Sequence, residues 1–482
     1  MPVDFLQFSG GLQTTTSTFL RRPDQLIRSV NVNGDTVGAL TGRLGYTQFG
    51  DTHSASQNVM GAASYNDVSG GTQYLFAIAD GALKYQNGGT WTSIVSASGL
   101  LATAKAEFRV FLDQLFMVGA NSTNTYLTSA NIDGISYSTS TNLNNAPNAR
   151  FIEIFRDRIY MADCVVATIR YPDRFYYSSL PNTAATTITW DTSSTSTQFE
   201  RVYTNNGEPI MGLHTNKTLN ELLIFKQTSL HAWNTSSLRD VGNVGTTSHR
   251  SIKTINYVTF FFSEGGIYAY SGQEPQLISR GIQKWINGID QTALGDVFAE
   301  VEDNKYYRLF VGSITVDGVT YTKCEIRYSV LDNTLTIYSY ANTFKAYALH
   351  KVSGKIRIYG GASDGKIYQH GEKDDTIYDD AGTAIAAEFM FETDLGLPSE
   401  RKNIDKALIY SSRAQTLTGR IAVKNQDWST HFSVDKDEQE VNLSPMDGRT
   451  LWWHFSASYS VQPFVFEGLT FVPRVTTQKY AE

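Results

Sequence analysis

Cysteine is nearly absent from these 482 residues: Cys164 and Cys324 are the only two, which excludes a disulfide scaffold. Two thiols suit a reducing compartment or two small buried hydrophobes. Proline is scarce at 11 residues, and charged residues make up only 18%, against about 25% in typical soluble domains. With 41% apolar residues available for burial, that low charge excludes a disordered chain. No run approaches the ~18 consecutive apolar residues of a transmembrane helix. The densest stretch, Tyr257-Val258-Thr259-Phe260-Phe261-Phe262, fits a buried strand, and no stable membrane insertion is expected. The opening Met1-Pro2-Val3-Asp4-Phe5-Leu6 has neither a basic nor an apolar leader region, so no signal peptide is expected.

The motifs of common chemistry are missing as well. There is no GxxxxGK[ST] phosphate cradle and no GxSxG nucleophile elbow. The eight histidines, His53, His214, His231, His249, His350, His370, His431 and His454, form no HxH or HExxH pair and have no Cys-x-x-Cys partner. They read as surface or packed-core residues. No catalytic residue, metal ligand or cofactor is therefore expected, and the chain is not expected to be an enzyme. Four Asn-x-Ser/Thr sequons, at Asn121, Asn216, Asn234 and Asn442, are chance products of a Thr- and Asn-rich composition. The formal net charge of −7 argues against gripping nucleic acid through neutralised phosphates. It is compatible with a wall past which DNA slides.

What is abundant is aromatic: 27 Tyr and 26 Phe, in short β-branched and aromatic runs bounded by Gly, Asn, Asp and Ser. One strand–turn–strand pattern recurs seven times. Its copies are Tyr74–Ala79 with Ala82–Tyr85, Phe108–Leu112 with Leu115–Val118, and Phe151–Phe155 with Arg158–Met161. They continue with Glu221–Phe225 and Ser229–Trp233, Val258–Phe262 and Ile267–Tyr270, and Tyr306–Val311 before the hairpin Glu325–Val330/Thr334–Tyr338. Lys355–Gly360 with Lys366–His370 is the last. A spacing of roughly 45 residues is that of propeller blades, which stack because one blade cannot bury both its faces. The turns Asp80-Gly81, Gly265-Gly266 and Asp364-Gly365 supply residues that accept positive φ. A run of sandwich domains is the structural alternative.

The expectation is an all-β chain in three parts. Residues 1–50 form an extended N-terminal arm whose last part closes the ring as a strand of the final blade. Residues 51–375 form a β-propeller of about seven blades. Residues 376–482 form an antiparallel β-sandwich, entered through the charged break Glu372-Lys373-Asp374-Asp375.

Both ends carry a resemblance. Phe8…Gly10-Gly11-Leu12, then Asn31-Val32-Asn33, then Gly42-Arg43-Leu44-Gly45-Tyr46 resembles the opening of tail proteins of tailed bacteriophages. Gly448-Arg449-Thr450-Leu451-Trp452-Trp453-His454-Phe455, followed by Phe464-Val465-Phe466-Glu467-Gly468-Leu469, is similar to their closing β-hairpin. Within that group the chain resembles the β-propeller nozzle or tail-tube proteins of short-tailed phages. The resemblance implies a structural virion protein, synthesised in the host cytoplasm and located in the tail. It implies a homo-hexameric ring beside a portal adaptor and tail fibres, with duplex DNA passing through the lumen unbound. The insertion Thr183–Gly207 matches nothing in that pattern.

Another class stays open: a carbohydrate-binding or glycan-cleaving propeller that engages a host surface. Such a site needs converging carboxylates. Asp80, Asp113, Asp157, Glu264, Asp332 and Asp364 occupy comparable places in their repeats, although each sits at a turn, where Asp binds its own backbone. Gly42-Arg43-Leu44-Gly45 reads as a tight-turn anchor. Adjacent Trp452 and Trp453 point to opposite faces of one strand, which makes one of them a candidate interface anchor.

Overall fold

The computed structural model describes residues 3–5, 8–14, 22, 24–36, 38–66, 73–86, 89–94, 100–103, 105–112, 114–119, 125–128, 136–138, 146–181, 188–193, 195–203, 207–372, 375–393, 402–412, 416–424, 427–428, 430–448, 450–471 and 474–475. Alternating apolar residues produce strands almost throughout, and the structure is all-β with many small sheets. Among the described residues, six four-stranded antiparallel sheets and a seventh set of four antiparallel strands, which is one end of a nine-stranded sheet and counts as the sixth sheet in order, follow one another along the chain. Their first strands are Val59–Asn66, Glu107–Phe111, Asn148–Phe155, Gly212–Asn216, Lys253–Ile255, Phe298–Glu302 and Phe344–Val352. The seven strand–turn–strand copies fall one to a sheet. Their phase differs: those of the second and third sheets span the first and second strands, whereas Tyr74–Tyr85 in the first sheet spans the second and third.

A cluster of buried side chains lies between each successive pair of sheets. Phe76 and Ile78 of the first meet Leu115 and Met117 of the second. Phe225 of the fourth packs edge-on to Phe261 of the fifth, with ring centroids 5.0 Å apart. The last sheet packs on the first: Ala348, Tyr359 and Ile367 share a cluster with Val59, Leu75 and Ala77. Burying one face of each sheet against its neighbour accounts for the even spread of Phe and Tyr, since each fully buried side chain of that kind contributes roughly 1.5–3 kcal/mol.

The fourth strand of the seventh sheet comes from the other end of the sequence. Tyr46–Gln48 pairs antiparallel with Ile367–His370, in the register Tyr46↔His370 and Gln48↔Tyr368. Gly45, just before it, is packed so closely that a Cβ would lie 1.8 Å from the carbonyl oxygen of Asp379. Because the obstacle is backbone, Gly45→Ala is expected to lower stability by about 1–3 kcal/mol in urea unfolding.

The rest of the first 50 residues departs from the expected extended arm. Val3–Phe5 pairs with Val465–Phe471, and the hairpin Val32–Thr36/Ala39–Gly42 joins the same sheet. Arg28–Val30 lies between the outer strand of the sixth sheet and Ile385–Thr393, making one nine-stranded sheet of the two. The reason is burial. Phe8, Leu26, Val32 and Leu40 lose their solvent contact only in the core that the two C-terminal sheets enclose, with Phe389, Trp453, Phe455 and Phe466. Those two sheets are Ile385–Thr393, Leu451–Tyr459, Leu417–Val423 and Thr430–Val434 on one side, and Lys402–Ser412, Glu438–Gly448 and Val465–Phe471 with the N-terminal hairpin on the other. Of the charged break, Lys373 and Asp374 lie outside the described residues, and Asp375 is tied to Arg357 at 2.7 and 3.1 Å.

Candidate functional site

Among the buried polar groupings, two bear on function: a junction between the chain ends, and a cavity where the first strands of four sheets meet.

The junction is built on Arg43, which is 2% exposed. Its guanidinium grips Asp380 with Nη1 and Nη2 at 2.8 and 2.7 Å. Nε donates to Asn31 Oδ1 at 2.8 Å, and Nη2 donates to the Ser339 carbonyl at 2.8 Å. Burial works to lower the Arg43 pKa, but the Asp380 carboxylate outweighs it, and the pKa ends raised. Asn31, at φ 59°, turns the chain away from the sixth sheet. Its side chain accepts from the Ser339 amide at 2.8 Å and donates to the Ala386 carbonyl at 2.6 Å. Asp380 Oδ2 also accepts from the Ala341 amide at 3.0 Å. Three side chains thus bond the strand edges where the nine-stranded sheet splits, leaving a cavity of about 370 Å³ lined by Ala384–Ala387 and Tyr340. Tyr459 donates its hydroxyl hydrogen to the Arg43 carbonyl at 2.8 Å, and a Cβ on Gly42 would lie 2.5 Å from that hydroxyl. Tyr46 completes the junction, its ring edge-on to Tyr340, Phe344 and Tyr368. The Gly42–Tyr46 segment is therefore more than the turn anchor expected of it: it locks the sixth sheet, the seventh sheet and the C-terminal unit together.

The second cavity, of about 220 Å³, is lined by the first strands of four sheets and by residues of the segment His249–Lys253. Charged side chains cross from strand to strand around it. Arg109 Nε and Nη2 hold Glu153 Oε2 at 3.2 and 3.0 Å, and Lys253 Nζ holds Glu300 Oε2 at 2.9 Å. His214 Nε2 is 2.8 Å from Thr254 Oγ1, and His350 Nδ1 is 2.9 Å from Ser64 Oγ. Burial pulls the pKa of both His214 and His350 down to about 4. Burial also opposes ionisation of Glu153, yet Arg109 and His214 hold its pKa below the usual carboxylate range. Arg250 anchors one wall, with Nη1 donating to the Lys345 and Met60 carbonyls at 2.8 and 3.3 Å.

The described turn carboxylates, whose comparable places in the repeats kept a glycan site open, do not converge. Asp80, Glu264 and Asp364 lie between second and third strands, whereas Asp157 lies between first and second and Asp332 between third and fourth. Antiparallel strands put those two kinds of turn at opposite ends of a sheet. Asp113 lies outside the described residues. Asp364 Oδ2 accepts from Tyr368 at 2.6 Å and Asn342 at 3.1 Å, a turn role. Among the described residues no group of three His, Cys, Asp or Glu is placed to hold a metal ion, and no helix is long and apolar enough to cross a membrane. Both cysteines are free and buried, and burial pushes the Cys324 thiol up to about 12. Trp453 is in the C-terminal core, and half-buried Trp452 on the other face donates to Glu392 Oε2 at 3.1 Å.

The charges around this cavity escaped sequence reading because the paired partners, Arg109 with Glu153 and Lys253 with Glu300, sit on different repeats. A signal was present: Glu107, Arg109, Glu153, Lys253 and Glu300 are charged residues inside otherwise apolar strands.

No family model matches this chain, and no curated protein matches it. Among solved structures it is similar to one titled "YCF48 bound to D1 peptide", at 10% identity and a TM-score of 0.40, over 69% of this chain and 97% of that one.

Proposed function

We propose that the seven sheets form a closed seven-bladed β-propeller with a β-sandwich beside it, and that the protein is a non-catalytic virion component. In this reading it is part of the oligomeric nozzle or tail channel of a short-tailed phage. The observation that carries the reading is the junction. Asn31, Gly42, Arg43, Gly45 and Tyr46, which carry the N-terminal resemblance, each have a defined role in one buried assembly, so the motif is architectural rather than compositional. Support for closure comes from the cluster between the last and first sheets.

The second cavity bears on how DNA would pass. At about 220 Å³ it is smaller than the ~300–1,000 Å³ of a drug-sized ligand pocket, and paired charges stand around it. A duplex-conducting lumen therefore lies between copies of the chain, six in the expected ring. The net charge of −7 per copy lets DNA slide through that lumen instead of binding. Electron-microscopy class averages of the assembled protein should show a ring with a central channel. Gel-shift titration should show little duplex binding at physiological salt. A protein that stays monomeric at assembly concentrations, or binds DNA tightly with a steep salt dependence, would overturn the reading.

A further inference from the structure

On the outer strands of the fourth sheet, a serine, a histidine and an aspartate are bonded in line. Leu230–Trp233 and Leu238–Gly242 are the third and fourth strands of that sheet. A register shift between Leu230 and His231 brings Asp240 opposite the histidine, where an unbroken ladder would place Val241. Ser229 and His231 are two residues apart, so the pleat puts both side chains on one face. Ser229 Oγ lies 3.1 Å from His231 Nε2, and Asp240 Oδ1 lies 2.6 Å from Nδ1. An ionised carboxylate only accepts, which assigns the ring proton to Nδ1. Nε2 is then the acceptor, and the Ser229 hydroxyl donates to it. His231 is 3% exposed, and burial lowers its pKa. Asp240 works against that lowering and Lys226 with it, so the imidazole is neutral at pH 7.

A hydroxyl that donates to a neutral imidazole, itself oriented by a carboxylate, is the arrangement of an activated nucleophile. We propose that Ser229 is an acyl-acceptor site, modified by activated esters or thioesters with His231 as the general base. As Oγ bonds to the acyl carbon, its proton passes to His231 Nε2. The ester C–O or thioester C–S bond then breaks, the leaving oxygen or sulfur keeps the electron pair, and His231 gives up the proton to it or to water. Asp240 is a positioning residue, holding the Nδ1 proton in place. The same hairpin carries its own comparison: Ser236, in the exposed turn, donates to Asn234 Oδ1 at 2.9 Å instead. One acyl group per chain needs no turnover and no second copy, so the site is independent of the tail reading.

p-Nitrophenyl acetate is the probe, applied to the full chain, with the acetyl group located by peptide mapping after acid quenching. Ser229 is expected to be acetylated about 100-fold faster than Ser236, the gain that general-base assistance supplies. Its rate should follow the deprotonation of an imidazole and be level between pH 7 and pH 8. An unassisted hydroxyl, reacting through its trace of alkoxide, would gain about tenfold per pH unit over the same range. Asp240→Asn alters a side chain that is 87% exposed, so the fold should survive it. It should slow Ser229 by about 100-fold, because an amide can donate to Nδ1 and move the ring proton to Nε2. A merely structural hydrogen bond gives neither the level pH profile nor that loss. Acetylation of Ser229 no faster than that of Ser236, or unchanged in Asp240→Asn, would overturn the proposal.

Discussion

Replacing Arg43 by alanine is expected to destabilise the protein by about 3–5 kcal/mol, the cost of leaving a buried carboxylate without its partner. Asp380 is 3% exposed, and two of its hydrogen bonds come from Arg43. The same change removes the donor to Asn31 and to the Ser339 carbonyl, so three strand edges lose a bond together. Lysine would not rescue it: an ammonium is a point charge and cannot reproduce the fork that meets both Asp380 oxygens. The double variant Arg43→Ala/Asp380→Ala should cost less than the sum of the two single changes, because it leaves no uncompensated charge. Urea unfolding of the four proteins measures this. Stability within 0.5 kcal/mol of wild type for Arg43→Ala would show that the junction contributes little.

Acidification from pH 7 to pH 5 is expected to remove on the order of 5 kcal/mol of stability, before most carboxylates titrate. The source is three buried histidines whose pKa is held at about 4: His53, His214 and His350. Burial is the main cause for all three, and at His53 the nearby Lys84 adds to it. For a base with a depressed folded pKa, stability is complete above the unfolded value of about 6.5. As pH falls toward 4 the unfolded chain takes up protons that the fold refuses. At pH 5 each such group has withdrawn about 2 kcal/mol. His370, pushed down by burial and by Arg308 and Arg43, adds in the same direction. Glu372 acts in the opposite sense. Burial with Asp303 and Glu302 raises its carboxyl to about 7, so it favours the fold as pH falls from 7 toward 4.5. Glu372 is partly solvated, which reduces its share to about half of one histidine's. Unfolding followed at successive pH values should show the decline, and His350→Gln should flatten it. A stability profile level between pH 7 and 5 would contradict the burial argument.

The repeated unit was legible in the sequence because a strand records its burial locally. A segment such as Leu222-Leu223-Ile224-Phe225, with a turn after it, needs no distant information to become a strand. So all seven copies could be found, and the turn at Asp364-Gly365 identified by its residues; there a Cβ on the glycine would lie 1.6 Å from the Ser54 carbonyl. That the end of the first 50 residues adds a strand to the last sheet was also readable, since Tyr46–Gln48 is a short strand left without a local partner. The phase of each copy was not legible, because first–second and second–third strand pairs have the same local pattern. That is why carboxylates at opposite ends of the sheets looked equivalent.

Composition and local pattern by themselves determined an all-β chain with seven hairpin units, aromatic residues spread evenly for packing, and no recognisable catalytic motif. Only the tertiary structure decided what the polar interior does. Arg43 and Asp380 are 337 residues apart, and Glu107 and Arg250 belong to different repeats. An isolated charge in a strand has the same sequence signature whether it faces water or a buried partner. Its role depends on a desolvation cost and a partner that exist only once distant strands have come together.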